Sequence, residues 1–193
     1  MEQNSQAKKS NSRETILESQ LRECYGRVVY SHKTHEKCAD ILLSRLSTIK
    51  IWQMILSACA TGGFIVTLIG PGQIGSIIGV ILSTILLVLS AYTKNYDLGE
   101  LAQKHKQSAN EIWLIREKYL TLLTDLSIGD KPLGSIQEQR DELLELLHAI
   151  YTGSPSTTHE AYRSAQNALQ TKEDLTFTSE EIDQFLPMEL RRG

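Results

Sequence analysis

The stretch that decides the fold is IWQMILSACATGGFIVTLIGPGQIGSIIGVILSTILLVLSAYT, residues 51–93, which contains no Asp, Glu, Lys, Arg or His. It is roughly twice the 20 or so apolar residues that one helix needs to cross a bilayer. Near its middle stands Gly70-Pro71-Gly72, a combination that favours a tight reversal over a continuing helix. The pattern predicts a hairpin of two transmembrane helices, at about residues 51–69 and 73–93. A buried core hairpin of a soluble protein is the competing reading, but core helices are usually shorter and interrupted by charge. Two continuous helices also satisfy their own backbone hydrogen bonds, as a bilayer requires. The run is far longer than the apolar region of a signal peptide, about 7–15 residues.

Orientation follows from the flanks. Arg45 and Lys50 precede the first span, and Lys94, Lys104 and Lys106 follow the second, while the Gly-Pro-Gly turn has no cation. Positive residues favour the cytoplasmic side, so both termini are expected in the cytosol. Trp52 and Tyr92 then lie at one interfacial depth and, with Lys50 and Lys94, read as interfacial anchors. The net charge of −3 is unevenly spread. Nine Lys/Arg face six Asp/Glu before the run, and eleven face seventeen after it. No basic stripe with interleaved aromatics occurs, so direct nucleic-acid binding is not expected.

Working outward, residues 1–12 are polar and read as a disordered tail. Residues 13–50 carry Leu17, Leu21, Cys24, Val28, Ser31, His35, Cys38 and Leu42 in alternating steps of three and four. Residues 94–128 repeat the pattern with Leu98, Leu101, His105, Ser108, Ile112, Ile115, Tyr119, Leu122 and Leu126. A hairpin delivers these two segments side by side, so the expectation is an antiparallel, coiled-coil-like cytosolic stalk with His35 and His105 at its polar midpoints. A pH-dependent contact between the two stripes is one reading of those histidines, and tolerated polar core positions the blander one.

Residues 129–193 form a C-terminal helical region. Ser135 with Glu138 reads as a capping box opening a helix whose apolar face is Ile136, Leu143, Leu144, Leu147 and Ile150. A further helix spans about residues 158–171, with Ala161, Tyr162, Ala165 and Leu169 on one side. Thr178 with Glu181 makes a second capping box, for a short helix ending at Pro187. No strand-period alternation of useful length occurs. The expected fold is an all-α membrane protein: a two-span transmembrane hairpin, long flanking cytosolic helices, and additional C-terminal helices.

The chemistry of soluble enzymes is missing. There is no phosphate-binding Gly-rich loop, no His-Glu-x-x-His and no Gly-x-Ser-x-Gly. The spans hold no Asp, Glu, His, Lys or Arg for a proton relay or a charged substrate site. His32, His35 and Cys38 fall at i, i+3 and i+6, which places the outer two on opposite sides of a helix, so no metal site is expected. Cys24, Cys38 and Cys59 read as small apolar fillers. The expectation is a non-enzyme without catalytic residues, cofactor or metal. What the spans do offer is small and hydroxyl residues in register. Gly75, Gly79 and Ser83 are spaced by four, Ser76, Ser83 and Ser90 by seven, and Ala58 and Gly62 by four. Such ladders permit close helix approach. They read either as packing within the hairpin or as a pore-lining face shared between copies, since one hairpin cannot surround water.

With Tyr30-Ser31-His32-Lys33 and Cys38-Ala39 before the spans, and Ala102-Gln103-Lys104-His105 and Glu111-Ile112-Trp113 after them, the chain resembles the SLATT family. These are bacterial two-transmembrane effectors associated with nucleotidyltransferase and SLOG domains, or with reverse transcriptases, in defence loci. The resemblance covers about residues 13–187. It implies a multi-pass protein of the bacterial inner membrane that oligomerises into a pore, or disrupts the membrane, and kills or arrests an infected cell. It also implies a trigger from a locus partner (a nucleotidyltransferase, SLOG or reverse transcriptase protein) or a nucleotide signal. The alternative is a passive membrane scaffold or receptor whose cytosolic helices dock a partner enzyme. In both, the acidic helices from Ser135 onward are the candidate partner or self-assembly surface.

Overall fold

No proline occurs before Pro71, and helix α1 (Glu2–Ile69) runs through that whole stretch without a break. The computed structural model describes residues 2–69, 73–172 and 174–191. At 1.5 Å per residue, α1 is about 100 Å long. Its N-terminal part and the apolar run after Lys50 are therefore one rod, with no linker between them. Its backbone is helical from Glu2, ahead of Arg13, where the sequence reading begins the helix. The Gly70-Pro71-Gly72 reversal lies outside the described residues.

The other elements are α2 (Ile74–Asn95), α3 (Leu98–Ile128), α4 (Leu133–Gly153), α5 (His159–Gln170) and α6 (Ser179–Phe185), followed by a 3₁₀ turn at Met188–Leu190. No strand occurs among the described residues. Pro132, Pro155 and Pro187 each stand between elements, as the lost N–H and fixed φ dictate. α2 does not flow into α3. The chain breaks at Tyr96, and the Asp97 carboxylate caps α3 by accepting from the Glu100 N–H at 2.8 Å. α3 closes on Gly129 at φ +78°, a left-handed position that glycine adopts without strain.

α1 packs antiparallel to α3. His35 meets His105, and Leu46 lies 3.5 Å from where a Cβ on Gly99 would stand. The core of this pair contains Leu17, Leu21, Val28, Ile112, Ile115, Tyr119, Leu122 and Leu126. These are the positions that the three-four spacing selects. Tyr119 is buried with its hydroxyl bonded to Cys24, and burial pushes its pKa up to about 12. One position shifts: Ala102 is buried and Leu101 is exposed, because the seam steps from Leu98 to 102 to 105.

Two expectations for α4 are corrected. Its N-cap is Pro132, whose carbonyl accepts from the N–H groups of Ser135 and Ile136. Ser135 is already inside the helix and pairs with Gln139 instead of forming a capping box with Glu138. The helix faces the α1–α3 core through Ile136, Leu143, Leu147 and Ile150. Leu144 is 57% exposed, because it sits one residue, or about 100°, round from that stripe. α5 seats Ala161, Ala165 and Ala168 against its neighbours, leaving Tyr162 half-exposed. The Thr178–Glu181 box of α6 forms with both of its reciprocal bonds.

Candidate functional site

Two places in the molecule concentrate features that folding alone does not require. The first is the contact between the C-terminal part of α1 and α2. Gln53 Nε2 lies 3.5 Å from Ser90 Oγ, and Gly63 faces Gly75 and Gly79, so these segments also run antiparallel. The approach is closest at the glycines. A Cβ on Gly75 would stand 2.7 Å from the Gly63 carbonyl oxygen and 2.5 Å from Thr67 Oγ1. A Cβ on Gly79 would meet the Phe64 ring at 3.2 Å. Thr67 donates to the Gly63 carbonyl, as Thr61 does to Ser57, so these hydroxyls are satisfied within their own helix.

The small-residue ladder therefore divides. Gly75 and Gly79 are occupied by α1 of the same chain. Ala58 and Gly62 face an open groove of about 1010 Å³ that also contains Gln53, Ser57, Thr61 and Ser90. A Cβ on Gly62 would meet nothing within 4 Å. Ser83 is exposed on α2 and Ser76 is partly covered. The sequence reading missed Gly63, Phe64 and Thr67 as the partners of the α2 glycines. The Gly62-Gly63 pair was the available signal, but only the register between helices tells which of the two faces inward.

Little covers the rest of this pair. Trp52, Met54, Ile55, Phe64 and Ile65 of α1, and Ile77, Ile78, Val80, Ile81, Leu87 and Val88 of α2, are all exposed. Among the described residues one helical segment, within Ile74–Ile128, is long and apolar enough to cross a membrane. Its most apolar stretch has a mean hydropathy of 2.4 and is only 6% buried. Lys50, Trp52, Tyr92 and Lys94 are exposed at the end of this pair nearest α3. The Tyr92 and Tyr96 rings lie 5.0 Å apart there.

The second place is a polar layer midway along α1 and α3. His35 Nδ1 and His105 Nδ1 stand 3.0 Å apart, both residues buried. One imidazole must donate and the other accept, so the neutral pair holds opposite tautomers. Burial lowers both pKa values, that of His35 to about 4, with the His105 and His32 charges acting in the same direction. His32 is also buried, its Nδ1 has no hydrogen-bond partner among the described residues, and burial lowers its pKa despite Glu36 nearby.

Lys33 is buried beside this layer. Its ammonium pairs with Glu36 at 3.1 Å and with Asp174 at 3.0 Å, and these bonds hold its pKa up against the opposing effect of burial. Asp174, beyond α5, is thereby tied to the middle of α1. Cys38 is bonded to Thr158, the N-cap of α5, and burial raises its thiol pKa. His32, His35 and Cys38 do not converge, and no group of three or more His, Cys, Asp or Glu that could hold a metal is found among the described residues.

An all-α protein built on a long helix, with an apolar helix pair left largely uncovered at one end, is the class that this fold and site define. The chain belongs to the SMODS and SLOG-associating 2TM effector domain family 4, whose profile matches residues 17–181. The match runs from the first buried leucine of α1 into α6. No curated protein and no solved structure matches the chain. The family is one of transmembrane effectors associated with SMODS and SLOG proteins.

Proposed function

We propose that the chain is a membrane effector whose α1 end (residues 51–69) and α2 form a two-span hairpin in the bacterial inner membrane. Both termini and α3 to α6 lie in the cytosol. On activation by a locus partner or a nucleotide signal, copies associate and open a pore or disrupt the bilayer. The observation that carries this reading is the uncovered apolar surface of α2, with only 6% of its most apolar stretch buried. An exposed apolar surface of that extent marks a membrane or interaction site. Lys50 and Lys94 at the α3 end support the orientation. Gln53, Ser57, Thr61 and Ser90 line the open groove and suit a face shared between copies, because lipid tails offer an amide no hydrogen bond.

The test is dye entry and membrane potential in cells expressing the protein with its neighbouring genes. The pore reading expects permeabilisation on activation, and ring-like oligomers in detergent. Unchanged permeability with inert monomers contradicts it. A scaffold reading is favoured by a different observation. Ile182, Phe185, Met188 and Leu190 are all exposed on the distal helices, a surface suited to docking a partner. Exchanging the hairpin for an unrelated two-span anchor separates the two. A scaffold keeps its activity, and a pore loses it.

A further inference from the structure

Midway along the α1–α5 seam lies a cavity of about 640 Å³ that no catalytic or packing role accounts for. Its size falls in the range of small-molecule sites. The Tyr30 and Tyr162 rings line it, with centroids 6.0 Å apart and planes inclined by 29°. Tyr30 is fixed from behind, its hydroxyl accepting from Gln170 Nε2 at 2.6 Å. Gly26 also lines the cavity. A glycine within a helix costs about 1 kcal/mol relative to alanine, yet a Cβ here would meet nothing within 4 Å. No neighbouring group among the described residues therefore requires glycine at this position, and its effect is to keep the cavity open.

The polar lining is equally unspent. The hydroxyls of Ser31 and Thr157 line the cavity without a hydrogen bond among the described residues, whereas Thr34, one turn on, donates to the Tyr30 carbonyl. Arg27 and Glu23 pair with each other at the mouth, both well exposed. An exposed pair of this kind is worth little, so either partner can turn to a ligand.

We propose that this cavity binds a small ligand with a planar heteroaromatic ring, a hydroxylated middle and an anionic group, the chemistry of a mononucleotide. The ring stacks on the tyrosines above Gly26. Two stacking distances of about 3.5 Å require only about 1 Å more than the present ring separation. Ser31, Thr157 and Glu23 meet the hydroxyl and amino groups, and Arg27 meets the anion. Because one wall is α1 and the other α5, the ligand bridges the two helices. The site is independent of the membrane reading: a protein that leaves membranes intact would still bind.

The experiment is calorimetric titration of the full chain in detergent micelles with AMP and GMP. Adenosine supplies the ring without the anion, and ribose 5-phosphate the anion without the ring. We expect one of the nucleotides to bind saturably, at least about tenfold more tightly than either fragment, and to slow amide exchange across α5. Base–aromatic stacking is worth roughly five- to 150-fold in affinity per base. Tyr162→Ala is therefore expected to weaken binding at least about fivefold, and Tyr162→Phe to keep it. Gly26→Leu fills the cavity and abolishes binding while the protein stays folded, since nothing opposes the new side chain. Absence of binding by both nucleotides at millimolar concentration overturns the proposal. So does a nucleotide affinity that Tyr162→Ala and Gly26→Leu leave unchanged, or a fragment that binds as tightly as the whole.

Discussion

At 3.0 Å, the two imidazole nitrogens of His35 and His105 share a single proton between them, and the site accommodates further charge poorly. Besides burial, the charged group that acts on His35 from outside the pair is His32 on α1, which in turn feels Glu36, Lys33 and, from α3, Arg116 and Glu117. The linkage has a definite sign. With a folded pKa below the unfolded value, the folded state resists protonation. Stability is therefore whole above about pH 6.5 and falls as the pH drops towards 4. A shift of that size, set by burial and by the neighbouring imidazoles together, is worth about 3 kcal/mol across that window. Denaturation midpoints of the detergent-solubilised protein at pH 7.5 and 4.5 should show this loss. His35→Leu with His105→Leu should remove most of the slope, leaving the part due to His32. His105→Leu alone should cost about 1–3 kcal/mol at neutral pH, because it leaves the His35 nitrogen buried without a partner. A slope that survives the double replacement unchanged would assign the pH dependence elsewhere.

At the scale of the elements, packing decides which apolar residues matter. Leu21 is fully buried between α1 and α3, and Leu21→Ala should cost about 2–5 kcal/mol. Leu144→Ala, on the exposed side of α4, should stay within about 0.5 kcal/mol. Thermal or chaotrope unfolding of the two variants checks the contrast. The glycines of the apolar pair make a second one. Gly75→Leu drives a side chain into the Gly63 backbone and Thr67, and should destabilise the α1–α2 contact by about 1–3 kcal/mol. Gly62→Leu meets open space, so it should leave that contact intact. If copies associate through the groove, it should nevertheless reduce oligomers in crosslinking. Equal damage from both substitutions would contradict the division of the ladder.

These elements also show what a sequence alone reveals. The seams of α1 and α3 were legible because a helix buries positions three and four apart, and Leu17, Leu21, Val28, Ile112 and Ile115 are all buried as spaced. The break at Tyr96-Asp97 was not seen, although Asp97 and Glu100 carry a capping signature, because the long helical periodicity on either side concealed it. Ser135 resembled a cap until Pro132 took that role. The burial of His32, Lys33 and Thr34 arises because α5, as well as α3, covers α1, and an alanine face carries no address for its partner. The meeting of Gly63 with Gly75 depends on inter-helix register, which no single-helix periodicity encodes.

At the scale of the whole molecule, α1 is one rod that joins a packed helical end to an apolar end its own chain does not cover. The ion pair of buried Lys33 with partly exposed Asp174 and the exposed pair of Arg45 with Glu160 hold the α5 region along the middle of that rod. The α5 region therefore sits on the same unbroken helix that continues beyond Lys50. The proposed activity requires residues 51–69 of α1 and the whole of α2 to reside in lipid. Fractionation of cells expressing the full chain, with alkaline carbonate extraction followed by ultracentrifugation, tests this most directly. The protein should stay in the membrane pellet through the carbonate wash and be released only by detergent. Recovery in the supernatant without detergent would mean that the α1–α2 pair does not span the bilayer.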